Sequence, residues 1–350
     1  MLFWGVAETE LTPRKQAVLQ AVVKAYIETG EPIGSKVLTT LLENAPSPAT
    51  IRNEMNELCT LGLLEQPHTS AGRIPTNSGY RFYINSLKPQ PLSNATKDYI
   101  DLQFSSVNCG LKEIPNTAGN IICELTGFPS VVSYAVGSGV SLKRAELITI
   151  SSHGAVILMI TSDGRTDNSV VRLSGGLNEE LKMMFSDIVN KRLKNRPLSD
   201  FNRATLQNII SLSGLNSFSL MPIFTALFDM AQKANDSSVN IIGSSNLYNL
   251  FGDDGARRII SLANRGEPLI SAMGNENVKT EVIFGNDTAF SELDGKTLVV
   301  SRYSNGKTYC GKIGILGRGR MSYEQIIPSI EYTALCLTNL MTQAVKDMED

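Results

Sequence analysis

Histidine is nearly missing from the 350-residue sequence, which has only His68 and His153. A histidine-based metal cage or a catalytic triad therefore has little to draw on. Five cysteines, Cys59, Cys109, Cys123, Cys310 and Cys336, are scattered without a Cys-x-x-Cys pair, which speaks against a disulfide scaffold or a zinc ribbon. There is no run of about 18 apolar residues, so no membrane span is predicted. The opening Met-Leu-Phe-Trp is too short for a secretory core and lacks a basic leader, so a cytoplasmic protein is predicted. Excess charge is also absent: 32 Lys and Arg face 34 Asp and Glu, for a net charge of −2. That balance argues against a nonspecific polyanion binder and confines any anion-facing potential to local patches. What is present, 42% hydrophobic and 19% charged residues, is ordinary for a globular chain long enough for two or three domains.

The most informative stretch is residues 47–81. Ser47 suits a helix cap, Pro48 suits the first helical position, and Ile51, Met55, Leu58 and Gly62 recur at helical spacing. One face of this helix is therefore buried. Projection at about 100° per residue sets Ala49, Arg52, Asn53, Asn56 and Thr60 on the opposite side, with Ala49 and Thr60 small enough for close approach. Arg forks onto guanine acceptors and Asn matches the donor and acceptor pair of adenine, so this face suits base edges in a major groove. A merely solvated face is more usually rich in Lys and Glu. Ile33–Leu42 reads as a shorter helix starting near Ser35, which completes a helix-turn-helix packed on a longer first helix from Thr12-Pro13 to Gly30. Leu63–Glu65 and Arg73-Ile74 read as two short strands around Pro67–Gly72, the shape of a wing. Thr76 caps a fourth helix, whose Tyr80, Phe82, Tyr83, Ile84 and Leu87 close the core. Three helices and a hairpin also build protein-binding modules. DNA binding is the favoured reading.

Residues 1–88 carry eight Lys and Arg against eight Asp and Glu. Phosphate contact must then lean on a few placed cations and on helix N-terminal amides, such as those near Ser35 and Ser47. One copy binds weakly, and two copies on a symmetric site gain through effective concentration, so the rest of the chain should supply a dimerising surface.

Lys88-Pro-Gln-Pro-Leu-Ser93 marks a linker, and residues 94–126 read as a helical connection with a break at Ile114-Pro115. From Glu146 the pattern turns to a β-meander through Leu147–Ile150, Ala155–Thr161 and Asn168–Arg172. A largely helical block follows, marked by Leu181, Phe185 and Ile188, by Leu206 and Ile209, and by Leu220, Phe224 and Leu227. Strands return near Val239–Ile242, Val278–Phe284, Thr297–Ser301 and Thr308–Ile315. Asp253 or Asp254 opens another helix through Leu262, and a long amphipathic helix carries Ile326, Ile330, Thr333, Leu337, Leu340, Met341 and Ala344. The simplest account is a helical insertion in an α+β sheet domain. The glycines of Gly311–Gly314 and Gly317–Gly319 do not make a dinucleotide spacing, and Ser151-Ser-His153-Gly reads as a surface turn rather than a nucleophilic site.

Residues 11–87 closely resemble the N-terminal domain of the bacterial heat-inducible transcription repressor HrcA family, above all in Tyr26–Ser35, Ser47–Asn53 and Gly62–Thr76. The resemblance continues through Ile241–Leu247, Gly274–Asn277, Gly311–Gly317 and Arg320–Tyr323, and departs at Arg318-Gly319, where the family prefers Pro-Thr. It implies an α+β multidomain fold: a winged helix-turn-helix over 1–88, a linker and connecting helix over 89–126, a GAF-like domain over 127–174 and 239–350, and an inserted dimerising domain over 175–238.

The function so indicated is a dimeric transcriptional repressor. Arg52, Asn53 and Asn56 read bases and Ala49 gives clearance, while Ser35, Lys36, Ser47, Thr50, Thr69, Ser70 and Arg73 meet phosphates or the groove rim, with His68 at the wing tip. The resemblance further implies the CIRCE inverted repeat upstream of chaperone genes as operator, and a GroEL-type chaperonin as the partner that maintains the active repressor. No cofactor, metal or catalytic residue is expected. The alternative is a metabolite-responsive regulator with the GAF-like domain as sensor; an enzyme on the sheet domain ranks below both.

Overall fold

The computed structural model describes residues 11–43, 45–68, 71–88, 90–106, 113–134, 140–212, 214, 217–235, 237–306 and 309–347. Helix α1, Pro13–Thr29, opens on Thr12, whose hydroxyl accepts from the Lys15 amide at 3.4 Å, and closes on Gly30 at φ 77°. It packs against α2, Ser35–Leu41, and α3, Pro48–Thr60, through Val18, Leu19, Val22 and Val23, which meet Leu38, Ile51, Met55 and Leu58 in one core. The buried side of α3 is the one its spacing predicts, except at Gly62. That residue lies beyond the helix, exposed and at φ 72°, because the chain must turn there into the hairpin. Strands β1, Leu64–Glu65, and β2, Ile74–Pro75, pair antiparallel as the wing, and Arg73 bridges to Ile33 just ahead of α2.

Helix α4, Asn77–Ser86, capped by Thr76, does more than close this core. Tyr80 lies between Phe284 and Tyr323, with ring centroids 6.1 and 6.0 Å away. Arg81 pairs with Asp287, and the Tyr83 hydroxyl donates to Glu324 Oε1 at 2.9 Å. The winged helix is thus packed directly on the sheet domain, through a core continuous from α1 to the C-terminal helix.

That sheet is formed by β3, Ser130–Tyr134, β7, Ser238–Ile242, β8, Thr280–Phe284, β9, Thr297–Ser304, and β10, Tyr309–Gly317. All neighbours are antiparallel, in the order β7-β3-β10-β9-β8. Residue alternation explains why both faces are covered. Val132, Val282, Phe284, Val299, Ile313 and Ile315 join the core with α5, Asn94–Ser105, α6, Ile114–Thr126, and α12, Tyr323–Lys346. Val131, Ile283, Leu298, Val300 and Leu316 join the core with α10, Ser244–Asn264, and α11, Glu267–Ala272.

The structure corrects several expectations. The meander β4, Leu142–Ser151, β5, Gly154–Thr161, and β6, Thr166–Arg172, is a separate sheet with no strand in common with the five-stranded one. Its buried face, Leu142, Ala145, Ala155, Ile157, Met159 and Val171, packs on Leu181, Phe185, Leu220, Phe224 and Phe228 of α7, Glu179–Ile188, and α9, Ser217–Ala234. The division expected at 174/175 therefore runs through a single core, because half-apolar strands need the helices that follow them. The break expected at Ile114-Pro115 falls just ahead of it: α5 ends at Ser105 and Ile114-Pro115 opens α6, where proline at N2 sacrifices no helical hydrogen bond. The segment expected to connect domains instead packs on the sheet: α6 contacts β3, β10 and α12, and α5 contacts α12. The helix expected from Asp253 or Asp254 is present, set off by Gly252, whose φ of 70° and ψ of 176° are non-helical, and a further helical stretch from Ser244 runs ahead of it within α10. Among the described residues, no helix is long and apolar enough to cross a membrane.

One charge pair is sealed inside the sheet domain. Lys312 on β10 is 2% exposed, and its Nζ donates to Glu281 Oε2 at 2.6 Å and to the Met273 carbonyl at 2.7 Å. Burial pulls the lysine pKa below its ordinary value, against the upward pull of Glu281. Glu281→Ala leaves that ammonium without its counter-charge and should cost about 3–5 kcal/mol in a urea titration, whereas Lys312→Met with Glu281→Leu should recover most of it.

Candidate nucleic-acid interface

The exposed side of α3 forms the centre of the site. Ser47 Oγ accepts from the Thr50 amide at 3.2 Å and lies 2.9 Å from Thr50 Oγ1, so the cap fixes the start of the helix and engages the Thr50 hydroxyl. Pro48 has no amide hydrogen, so Ala49 supplies the remaining amide of the first turn. From there Ala49, Arg52, Asn53, Asn56 and Thr60 are exposed along one side, while Ile51, Met55 and Leu58 are buried on the other.

The acidic residues of α3 are drawn away from this side. Lys15 Nζ lies 2.8 Å from Glu57 Oε2, and Arg14 Nε lies 3.6 Å from Glu54 Oε1, both across to the first turn of α1. The hydrogen bond to Glu57 raises the Lys15 pKa. Exposed pairs of this kind add little stability; their effect is to place negative charge on the α1 flank. Cations in a first helical turn oppose the helix dipole, and that unfavourable placement of Arg14 and Lys15 was the sequence signal that acidic partners face them.

The other predicted positions sit around this helix. Ser35 is half-buried at the start of α2 and Lys36 is exposed beside it. His68 is exposed in the wing turn, where its carbonyl accepts from the Ala71 amide at 2.9 Å. Thr69 and Ser70 lie outside the described residues. Arg73 is turned inward: its Nη2 donates to Asn56 Oδ1 at 2.7 Å, and its amide and carbonyl both pair with Ile33 at 2.9 Å. Spacing alone did not show this link, which joins the wing to α3 across 17 residues. Among the described residues, no group of His, Cys, Asp and Glu side chains that could hold a metal ion is found.

Comparison with known proteins agrees with this geometry. Residues 10–88 match the model of the winged helix-turn-helix transcription repressor, HrcA DNA-binding, and residues 112–327 match the HrcA protein C-terminal domain. The chain belongs to the HrcA family. The heat-inducible transcription repressor HrcA of Syntrophobacter fumaroxidans is 30% identical, over 97% of this chain and 100% of that protein. Its counterpart in Acetivibrio thermocellus is 29% identical, over 92% of this chain and 94% of that protein. The crystal structure of a hypothetical protein superposes with a TM-score of 0.66 at 22% identity, covering 96% of this chain and 100% of that one, and so shares the fold. The chain is thus a winged helix-turn-helix DNA-binding domain followed by an α/β sheet domain, in a family of transcription repressors.

Ser47→Ala should remove the cap of α3 and cost about 1 kcal/mol, read as faster amide hydrogen exchange at Thr50 and along the first turn.

Proposed function

We propose that the chain represses heat-shock chaperone genes by binding an inverted-repeat operator of the CIRCE type as a homodimer. Each α3 enters a major groove, where Arg52, Asn53 and Asn56 face base edges and Ala49 allows close approach. Ser35, Lys36, Ser47, Thr50 and His68 lie along the phosphates or groove rim, and Thr69 and Ser70, outside the described residues, are assigned the same contacts from the sequence. The observation that carries this reading is the exposed Arg52 and Asn53 on a helix whose neighbouring acids are paired to α1. Repressing transcription places the protein with the DNA in the cytoplasm, and a GroEL-type chaperonin keeps the repressor active until unfolded clients draw it away; family resemblance supports that coupling.

Pairing of two chains runs through the insertion, with residues 175–238 at its centre. In support, Phe218 is 90% exposed, and Met183, Leu212 and Met221 on the same helical block are also open to solvent, apolar side chains that a second copy would cover. A near-neutral reading head gains most of its grip from the second copy.

Arg52→Ala and Asn53→Ala should each weaken operator binding by about 1–3 kcal/mol in a filter-binding titration at fixed salt, leaving thermal stability unchanged; unchanged affinity rejects the assignment. The same titration with chaperonin added should show tighter operator binding if the coupling holds. Phe218→Asp with Met221→Asp should give the monomer mass by sedimentation and weaken operator binding on the order of 100-fold.

A further inference from the structure

Asn56 stands on the groove-facing side of α3, but its amide is not free to present both ends. Arginine side chains only donate hydrogen bonds, so the group that Arg73 Nη2 meets at 2.7 Å is necessarily the amide oxygen of Asn56. Reading adenine requires both ends of the amide, the oxygen accepting from N6 and the nitrogen donating to N7. With one lone pair of the oxygen taken by a charged donor and the amide held in that orientation, the NH2 group is the end that leads toward a base.

Arg73 is well placed to keep that hold. Its backbone is paired with Ile33 in both directions at 2.9 Å, and a Cβ on the preceding Gly72 would stand 2.4 Å from the Ile33 carbonyl carbon and oxygen, so the wing root is drawn against the start of α2. Arg73 Nη1 reaches the Ala71 and Gly72 carbonyls only at 3.4 and 3.5 Å, and its Nε is buried with no acceptor among the described residues. A guanidinium so short of acceptors gives up a close one at a cost.

We propose that Arg73 is a positioning residue that turns the Asn56 amide so that its NH2 group leads the reading of a base. The base facing Asn56 is then selected for an edge that offers acceptors with no competing donor, guanine through N7 and O6 or thymine through O4, and adenine, whose N7 stands beside its own N6 donor, is disfavoured. This rests on the reading of α3 as the base-reading helix, and it replaces the expected phosphate role of Arg73 with one exerted through Asn56.

The test measures binding of the full chain to inverted-repeat duplexes carrying each of the four bases at every half-site position. Asn56→Ala identifies the position that it reads, as the one whose preference flattens. In the unmodified chain that position should favour guanine or thymine over adenine by about tenfold. Arg73→Ala frees the amide, so the preference at that position should move toward adenine while the other positions keep theirs. Arg73→Lys retains a donor and should keep the original preference. Three results overturn the proposal: adenine favoured by the unmodified chain at that position, no position flattened by Asn56→Ala, or Arg73→Ala weakening all duplexes equally. Failure of the parent reading looks different, since no position would then show any base preference in the unmodified chain. Arg73→Ala and Arg73→Lys are compared at matched thermal stability, and Arg73→Lys alone decides if Arg73→Ala does not fold: loss of the guanine or thymine preference in the lysine variant also overturns the proposal.

Discussion

The packing of α4 against the sheet domain is the constraint on which the rest of the molecule depends. A winged helix of this size buries a modest core, and an open tether would leave it free to take many orientations relative to the sheet domain. Here Tyr80 fills the gap between Phe284 and Tyr323, and Arg81 and Tyr83 flank it with an ion pair and a hydrogen bond. Aromatic contacts of that kind add to the area they bury, and they fix an angle as well as a distance. Burial of Tyr80 and Tyr83 pushes both phenols above their ordinary pKa, so both stay neutral where the protein works. Gly30 at the end of α1 lies directly under Arg320, and Gly319 lies under Tyr80, so the turn before α12 is part of the same joint.

Charge in the reading head is sorted rather than abundant. Eight cations and eight anions cancel in sum, and the fold offsets the acids of α3 locally by pairing them with cations of α1. Glu54 and Glu57 go to α1, while Arg52 stays on the open side of α3 and Lys36 is exposed on α2. A field built from few charges is short in reach and quickly screened by salt. On the proposed reading of α3, sequence preference then comes from close hydrogen bonds, which gives the orientation of Asn56 its weight.

Much of this was legible in the chain before any coordinates. Capping residues, Pro48 and the spacing of Ile51, Met55 and Leu58 mark α3 because local geometry and burial agree there. Thr76 and the aromatic run after it mark α4 for the same reason, but nothing local says that Tyr80 packs against Phe284, more than 200 residues away. The meander was visible as strands, yet alternation cannot say which helices cover it, and it was assigned to the wrong sheet. Ser244–Phe251 escapes the pattern because Gly252 interrupts its periodicity, and the break expected at Ile114-Pro115 marks the opening turn of α6. Among the site residues, exposure follows from the helical face. The inward turn of Arg73 depends on Gly72 meeting Ile33, a contact between segments that no spacing rule joins.

The point where the insertion leaves the sheet has a topological consequence. Tyr134 and Ser238 are register partners on adjacent antiparallel strands, β3 and β7. Antiparallel neighbours can be joined by a turn as short as two residues. Everything between those strands is, in connectivity, an overgrown hairpin loop carrying its own core, so the five-stranded sheet owes it no strand. A module mounted this way can be lengthened, exchanged or lost in the course of descent while its host framework keeps the same register.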